Sequence, residues 1–468
     1  MKVLLINPPN ENMITTNLPS FIEEERGHYP PLGIMYMASY AEQNTDYKIE
    51  ILDANVEDMN YNIVRKEVKK RKPDVVGITT TTFTLVDAIA TAKIVKNIDK
   101  DIKVVLGGSH VSIYPNETIN IPEIDYLIQG EGEISFTKLI QSLDMKLNLK
   151  RINGLVFRSK NRVINNGPGN LIKNLDKLPF PARHMTPYEK YYSPLAKRSS
   201  ITTMITSRGC PFNCLFCSNQ NSALRMRSTT NVVDEIEQCV NNFNIREFLI
   251  YDNTFPINKK AAIDISKEIL KRKLDISFSI RARVDMMDKR VIKYLKKAGC
   301  EKIHYGVESS SPSILKILRK RITIKQIKKA FKITKEADIS TLAYFIIGNP
   351  TETKKQIMKT IEFSKKLNPD FVHFSVLVPF PGTDLYKLGL RKNIFKDFWV
   401  NFAQNPKKDF VPELWEENLT KDELMEMLRY AYRSFYIRPS YLAREILKIR
   451  SFKELKRKSK VGLKVLNN

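Results

Sequence analysis

The chain has few cysteines, few histidines and few tryptophans for its length. Of its 468 residues, five are Cys, five are His and two are Trp. So small a number of cysteines excludes the disulfide-dense scaffolds of small exported domains. The sequence also lacks an uninterrupted apolar run of roughly eighteen residues, the minimum for a membrane-spanning helix. Its length predicts two or three domains, and a hydrophobic content of 42% supplies their cores.

The first residues do not have the pattern of an export signal. Residues 1–9 contain only a short apolar run, and Pro8 and Pro9 follow it directly. Together with the scarcity of cysteine, this predicts a reducing, cytoplasmic location.

The net charge of +26 raises the question of a nucleic acid or an anionic membrane as partner. Lys is spread along the chain, and no recognisable RNA-binding module accompanies it. The one local concentration is residues 438–468, with ten Lys or Arg and two Glu. Apolar residues recur there at helical spacing opposite basic ones: Leu442, Ile446, Ile449 and Leu455 against Arg444, Lys448, Arg450 and residues 456–458. We hypothesise either a terminal helix packed on the preceding domain or peripheral contact with an anionic membrane.

Three of the five cysteines fall within eight residues, Cys210, Cys214 and Cys217, with the spacing CxxxCxxC. The preceding residues, 201–206, have the pattern of a buried strand, which predicts that the cysteines lie in a strand-to-helix loop. Three thiolates hold three corners of a four-iron cluster and leave the fourth iron open. Structural zinc and a disulfide are the alternatives. Zinc usually takes four ligands, and no further Cys or His lies close in the sequence.

From about residue 200, strand and helix signals alternate six times. The predicted strands are 201–206, 247–251, 276–280, 302–306, 341–347 and 371–376. Together with the CxxxCxxC motif, this alternation of strands and helices resembles the radical S-adenosylmethionine (SAM) superfamily, whose fold is a (β/α)6 partial barrel. The resemblance implies a [4Fe–4S] cluster on the three cysteines and SAM chelated to its open iron. It also implies that the reduced cluster cleaves SAM to a 5′-deoxyadenosyl radical, so the cysteines are both metal ligands and catalytic residues.

The resemblance also implies a set of SAM-binding residues at the carboxyl ends of the barrel strands, where barrel enzymes place their active sites. These residues are Phe216, Asp252, Arg281, Arg283, Gly306, Glu308, Ser309, Gly348 and Pro350. Asp252 as a helix cap, with the two arginines as its ion-pair partners, is the alternative. Thr351 stands where relatives usually have Gly. Cys239 and Cys300 are predicted to be buried spectators, and two isolated thiols cannot hold a second cluster.

The first 149 residues alternate strands and helices in another way. Strands are predicted at 2–6, 47–52, 74–79, 102–106 and 125–128, with helices at 33–43, 56–70, 85–98 and 133–143. This alternation predicts a Rossmann-like, doubly wound parallel sheet that binds its ligand beyond the carboxyl ends of the strands. No GxGxxG fingerprint follows the first strand, which disfavours NAD and FAD.

Three loops at those strand ends resemble the cobalamin-binding domain. They are residues 79–82, the pair Gly107 and Gly108, and residues 130–133. The resemblance implies that cobalamin contacts Thr79, Thr80, Gly107, Gly108, Gly130 and Glu131. The family's DxHxxG motif is absent, so no lower cobalt ligand is predicted, and His110 is interpreted as a hydrogen-bonding loop residue. A vestigial or differently used Rossmann domain is the alternative.

Four segments follow from these patterns. They are a B12-binding-like domain (1–149), a linker with a small hairpin (150–195), a radical SAM core (196–390) and a basic helical region (391–468). The order is similar to that of the anaerobic Mg-protoporphyrin IX monomethyl ester cyclase and radical SAM methyltransferase group. The fold class expected is therefore α/β, with a helical C-terminal region.

The activity that the resemblance implies is cobalamin-dependent methylation of an unactivated carbon. The substrate would be a small or lipid-type molecule, and a flavodoxin or ferredoxin would donate electrons. The alternatives are an oxidative cyclase or rearrangement enzyme, an RNA-modifying enzyme, and a regulator that binds cobalamin or SAM without turnover.

Overall fold

The computed structural model of the chain describes residues 1–15, 27–160, 162–198, 200–220 and 222–447. Its N-terminal sheet has seven strands in the order β2-β1-β3-β4-β5-β6-β7. The first five are parallel, and the last two are antiparallel. They are β1 Lys2–Asn7, β2 Lys48–Asp53, β3 Val75–Thr79, β4 Lys103–Gly107, β5 Tyr126–Ile128, β6 Leu155–Ser159 and β7 Arg162–Asn165.

Helices cover both faces of this sheet, as a doubly wound fold requires. One apolar cluster packs Val64, Val68 and Ala88 under one face, and a second packs Ala38 and Phe136 under the other. Because the strand order reverses at β1, a crevice opens beyond the carboxyl ends of β1 and β3. The helices are Leu32–Asn44, Tyr61–Arg71, Leu85–Ile98, Ser109–Ile113, Pro115–Ile119 and Gly132–Asp144.

In the N-terminal region, two element boundaries differ from those predicted. The hairpin assigned to the linker supplies β6 and β7, which extend the N-terminal sheet beyond residue 149. β6 pairs antiparallel with β5, so the sheet is mixed at this edge. The helix expected at 56–70 begins only at Tyr61, because the side chain of Asn60 accepts the N–H of Ile63 and caps it.

The second sheet has six parallel strands in the order β15-β14-β13-β12-β11-β8, which confirms the partial barrel. The strands are β8 Ile201–Met204, β11 Glu247–Ile250, β12 Ser277–Ala282, β13 Cys300–Glu308, β14 Ser340–Ile347 and β15 Phe371–Val376. One large apolar cluster joins their side chains to the surrounding helices. Those helices are Thr229–Phe243, Lys259–Lys271, Lys289–Lys297, Pro312–Ile317, Ile324–Glu336 and Lys354–Leu367.

Two further strands, β9 Ser207–Cys210 and β10 Ser222–Met226, pair antiparallel between β8 and the helix Thr229–Phe243. The strand expected at 201–206 therefore ends early, at Met204. Cys210 is the last residue of β9, so the expectation of a simple strand-to-helix loop was wrong. We call residues 207–220 and 222–226 the cysteine hairpin.

The C-terminal helices are Asp384–Arg391, Phe398–Gln404, Lys421–Tyr436 and Pro439–Leu447. Tyr432 and Tyr436 bond to the backbone of β15, the edge strand. The Tyr436 hydroxyl accepts the N–H of Val372 at 3.0 Å and donates to its carbonyl at 2.9 Å. The Tyr432 hydroxyl does the same for Phe374, at 3.1 and 2.8 Å. The helix thereby covers a strand edge that would otherwise expose unpaired backbone.

The basic amphipathic pattern falls mostly outside the described residues. Ile449, Leu455, Lys448, Arg450 and residues 456–458 all lie beyond Leu447, where the description ends. None of the helices in the described part of the chain has the length and hydropathy of a membrane-spanning segment.

A buried charge cluster ties the connector to the barrel. Glu235 is fully buried and pairs with Arg183 at 2.6 Å and with Arg227 through its other oxygen. Burial alone would raise the pKa of Glu235, but the two guanidinium groups hold it below its usual range. Arg183 also donates to the Thr202 hydroxyl and the Thr203 carbonyl, both at 3.0 Å. The carboxylate is therefore the counter-charge for two cations that have little contact with water.

Glu235→Gln is expected to destabilise the fold by about 3–5 kcal/mol, because it leaves two buried guanidinium groups uncompensated. The measurement is the denaturation midpoint followed by circular dichroism. Glu237→Gln, on the same helix but with its side chain 41% exposed, is the matched control and should cost less than about 1 kcal/mol. Equal midpoints for the two variants would contradict the assignment.

Candidate active site

Two carboxylates of the N-terminal domain form ion pairs with two arginines of the cysteine hairpin. Glu131 binds Arg225 through both oxygens, at 2.7 and 2.8 Å, and lies 3.5 Å from Arg208. Glu133 pairs with Arg208 at 2.5 Å. All four side chains are at least four-fifths shielded from solvent. We call these four residues the interdomain clamp. It fixes the hairpin against the loop that follows β5.

The base of the hairpin is held by Asp252, which follows β11. Its carboxylate accepts the Thr206 N–H at 2.6 Å, the Thr206 hydroxyl at 2.5 Å and the Ser207 hydroxyl at 2.7 Å. Burial raises the pKa of Asp252, and these hydrogen bonds oppose the rise. Asp252 was expected at the SAM site. In the structure its carboxylate orients the start of β9.

The three cysteines lie together at the end of the hairpin. Cys210 and Cys214 are buried and Cys217 is half-buried. Burial raises the pKa of Cys217, the neighbouring thiols raise it further, and Lys320 lowers it. Among the described residues, no three His, Cys, Asp or Glu side chains converge on a single metal ion. Three thiols on one short hairpin fit a four-iron cluster, in which each thiolate binds a different iron.

A buried ion pair lies beside the cysteines. Lys320 donates to Glu308 at 2.6 Å, and its ammonium lies 5.9 Å from the ring centre of Phe216. Glu308 has a left-handed backbone, with φ of 66°. A Cβ on Gly306 would lie 2.5 Å from the Glu308 carboxylate and 2.8 Å from the ammonium. Glycine at 306 therefore makes room for the pair. The sequence indicated Gly306, Glu308 and Phe216 but gave no signal for Lys320.

The two arginines after β12 have different environments. Arg283 is buried, pairs with Asp285 at 2.9 Å and donates to the Lys320 carbonyl. Its guanidinium lies 3.8 Å from the ring centre of Phe212, in the cysteine hairpin. Arg281 is exposed and stacks 4.1 Å over the ring of Tyr251. The alternative in which Arg281 or Arg283 pairs with Asp252 was wrong, because the Asp252 carboxylate bonds to Thr206 and Ser207 instead.

A buried polar network joins the ends of β13 and β14. Glu352 accepts the N–H of Asn349 at 3.0 Å and its side-chain amide at 2.9 Å. Ser309, fully buried, donates to Glu352 at 3.5 Å. Ser309 was expected to line the SAM site, yet its hydroxyl points into this network. The turn that contains Pro350 has positive φ at Gly348 (77°) and at Thr351 (63°), where relatives were expected to have Gly.

The cobalamin-type loops meet at the carboxyl ends of β3 and β4. The Thr80 N–H donates to the Gly107 carbonyl at 2.7 Å. Gly108 has φ of 123°, and a Cβ there would lie 2.1 Å from the Thr80 carbonyl oxygen. Only glycine fits this approach of backbone to backbone. Thr79 is half-buried, which leaves part of its side chain accessible at this edge.

In the third predicted loop, residues 130–133, one residue has a role other than the one expected. Gly130, with φ of 77°, donates to the Ser112 hydroxyl at 3.0 Å. Glu131, expected at cobalamin, instead belongs to the interdomain clamp. His110 bonds to the Thr82 hydroxyl at 3.1 Å, and burial lowers its pKa to about 4. The hydrogen-bonding role expected for His110 is confirmed.

The Glu352 network gives a testable pH dependence. Burial raises the pKa of Glu352 from 4.5 to about 7. Between these values the folded protein keeps a proton that the unfolded chain releases, so stability falls as the pH rises. Glu352→Gln should remove this pH dependence. The melting temperature of the variant, relative to that of the wild type, should therefore increase from about pH 5 to about pH 8. The exposed Glu362→Gln is the control. A constant offset between Glu352→Gln and wild type would contradict the prediction.

Comparisons with known proteins agree with this architecture. The sequence pattern of the Radical SAM superfamily matches residues 204–364, and that of the B12 binding domain matches residues 22–140. The chain is 38% identical over 456 residues to an uncharacterized methyltransferase of Pyrococcus horikoshii, covering 97% of this chain and 96% of that protein. It is 30% identical over 453 residues to the anaerobic magnesium-protoporphyrin IX monomethyl ester cyclase of Rubrivivax gelatinosus, covering 94% and 78%.

Among solved structures, the cobalamin-dependent SAM radical enzyme OxsB, with aqua-cobalamin and SAM bound, shares the fold. Its TM-score is 0.74 at 19% identity, over 99% of this chain and 72% of that chain. The sequence matches establish the family relationship. The structure has the same domain order, with the B12-binding domain before the barrel. The chain therefore belongs to the radical SAM superfamily, among the members that carry a B12-binding domain before the barrel.

Proposed function

We propose that this enzyme transfers a methyl group to an unactivated carbon of a small organic substrate, with cobalamin as methyl carrier. The observation that carries the proposal is the interdomain clamp. It holds the segment after β5 of the B12-binding domain against the hairpin that bears the three cysteines. A methyl carrier and a radical source must act on the same carbon, and the clamp supports a proposal in which the two cofactors bind close together.

Bound together, the cluster and SAM supply a carbon-centred radical, and cobalamin supplies the methyl group. The protein binds and orients these groups. Cys210, Cys214 and Cys217 would ligate the cluster, while Phe216, Gly306, Glu308, Gly348 and Pro350 would line the SAM site. The loops of Thr79, Thr80, Gly107, Gly108 and Gly130 would approach cobalamin. An electron donor of the flavodoxin or ferredoxin type completes the proposal.

Asp252 and Arg283 support this proposal as positioning residues. Asp252 accepts a hydrogen bond from Ser207 at the start of β9, and Arg283 stacks on Phe212 of the same hairpin. Both therefore fix the cysteines from the barrel side, whereas the clamp fixes them from the N-terminal side.

Cys214→Ala is expected to abolish formation of 5′-deoxyadenosine and to lower the iron content, because a cluster site with two thiolates is incomplete. The assay is anaerobic reconstitution with dithionite and SAM, followed by chromatography. Cys300→Ala, which removes a buried thiol away from the hairpin, is the matched control and should retain both properties. If the wild type forms no 5′-deoxyadenosine, the chain is a binding protein and the enzyme proposal fails.

Gly108→Ala is expected to lose cobalamin. The added Cβ would overlap the Thr80 carbonyl and force apart the β3 and β4 loops. The measurement is the corrinoid absorption of protein purified anaerobically with hydroxocobalamin. Gly33→Ala is the control, since a Cβ there meets no atom within 4 Å. Equal absorption in both variants would place cobalamin elsewhere.

Cyclisation is the second candidate, favoured by the 30% identity to the Rubrivivax cyclase. The two reactions differ in the fate of the SAM methyl group. With methyl-¹³C SAM and a small-molecule extract, methylation places the label in a product, whereas cyclisation leaves it in methionine.

A further inference from the structure

A cavity of about 170 Å³, open to solvent, lies inside the barrel. Side chains of β11, β12, β13 and β14 form its wall, and residues before β8 close one side. No residue proposed above for the cluster, SAM or cobalamin lines this cavity. Arg281, which the sequence analysis expected at the SAM site, does line it. Its lining includes Tyr29, Leu195, Tyr251, Ser279, Arg281 and Tyr344.

Three charged side chains line this cavity, and two of them are already engaged. Lys302 donates to the Leu195 carbonyl at 2.7 Å, and Glu247, at the start of β11, accepts from the Ser277 hydroxyl. Arg281 is exposed, and no carboxylate among the described residues pairs with it. Within the described part of the chain, Arg281 is therefore the charged group of this cavity whose side chain has neither an ion pair nor a hydrogen bond.

The remaining wall is neutral and aromatic. The rings of Tyr29 and Tyr251 lie 5.8 Å apart, and those of His304 and Tyr344 lie 6.0 Å apart. His304 bonds to the Tyr344 hydroxyl at 3.2 Å, and burial lowers its pKa to about 3, so its ring is uncharged. Such a wall suits a flat or apolar body, with Tyr hydroxyls for local polar contacts.

The position of Arg281 relates the cavity to the cysteines. Arg281 lies in β12, and Arg283 follows the end of that strand with a backbone that is still extended. Side chains two residues apart on extended backbone share a face, so Arg281 and Arg283 lie on the same side, about 7 Å apart. Arg283 contacts Phe212 of the cysteine hairpin. Arg281 therefore lies one step deeper in the barrel, below the loop that bears the cysteines.

We propose that this cavity is the substrate subsite, and that the substrate combines a flat, apolar body with a carboxylate or phosphate group bound by Arg281. A guanidinium binds either oxyanion in bidentate fashion, and stacking on Tyr251 keeps its plane fixed. The assignment rests on the proposed function only in calling the ligand a substrate. The cavity binds its ligand whether or not turnover occurs.

The test uses two fluorescent probes with similar rings, anionic 8-anilinonaphthalene-1-sulfonate and neutral N-phenyl-1-naphthylamine, on the reconstituted holoenzyme. Arg281→Gln should weaken binding of the anionic probe about tenfold, and of the neutral probe less than about twofold. Ser279→Phe, which fills the cavity, should weaken both. Arg290→Gln, an exposed arginine on the helix Lys289–Lys297, is the charge-matched control.

Competition by 1-naphthoate and by 1-naphthyl phosphate then distinguishes the two oxyanions, and preference for either supports the subsite. Equal affinity of wild type and Arg281→Gln for the anionic probe overturns the proposal, as does wild-type binding by Ser279→Phe. Iron content and melting temperature verify that each variant is folded. Because Cys214→Ala should bind both probes normally, a failure of catalysis and a failure of this subsite give different results.

Discussion

The pairing of two glutamates with two arginines across the domain boundary is the interaction on which the site depends. The cysteine hairpin is a two-stranded ribbon with a long loop, and such ribbons have little stability alone. Glu131 and Glu133 hold it from one side through charge-assisted bonds that are largely shielded from water. Asp252 holds it from the other. A loop fixed at both sides presents its thiols in one arrangement, which lowers the entropic cost of assembling a cluster.

Buried carboxylates neutralise buried cations elsewhere in the protein as well. Glu235 pairs with two arginines, and Glu308 pairs with Lys320 next to the cysteines. In a chain with 77 basic and 51 acidic residues, buried carboxylates are the scarcer partner. The buried Arg183, Arg227 and Lys320 each pair with one, whereas the exposed Arg281 stacks on an aromatic ring. A cation left with a ring and open space is free to bind an anion from outside.

Much of the fold followed from the sequence because apolar runs and turn residues are local signals. All five parallel strands of the first sheet and all six of the barrel were predicted. Gly108 and Glu308 were singled out from the sequence as cofactor-binding residues, and the structure gives both a positive φ. The short hairpin β9–β10 was missed, because its strands depend on pairing with each other and on Asp252. Lys320 was missed for a related reason. Its role comes from a side chain that meets Glu308 only after folding, and a lysine in a lysine-rich chain carries no signal of that contact.

The edge of β15 shows how an incomplete barrel is made stable. A parallel sheet that stops at six strands leaves donors and acceptors along its last strand, and such an edge can recruit a strand from another molecule. Here two phenol groups, one helical turn apart, satisfy the N–H and C=O of alternate residues. The hydroxyls act as a substitute for a seventh strand. The barrel thereby stays open at six strands without leaving its last strand as a template for aggregation.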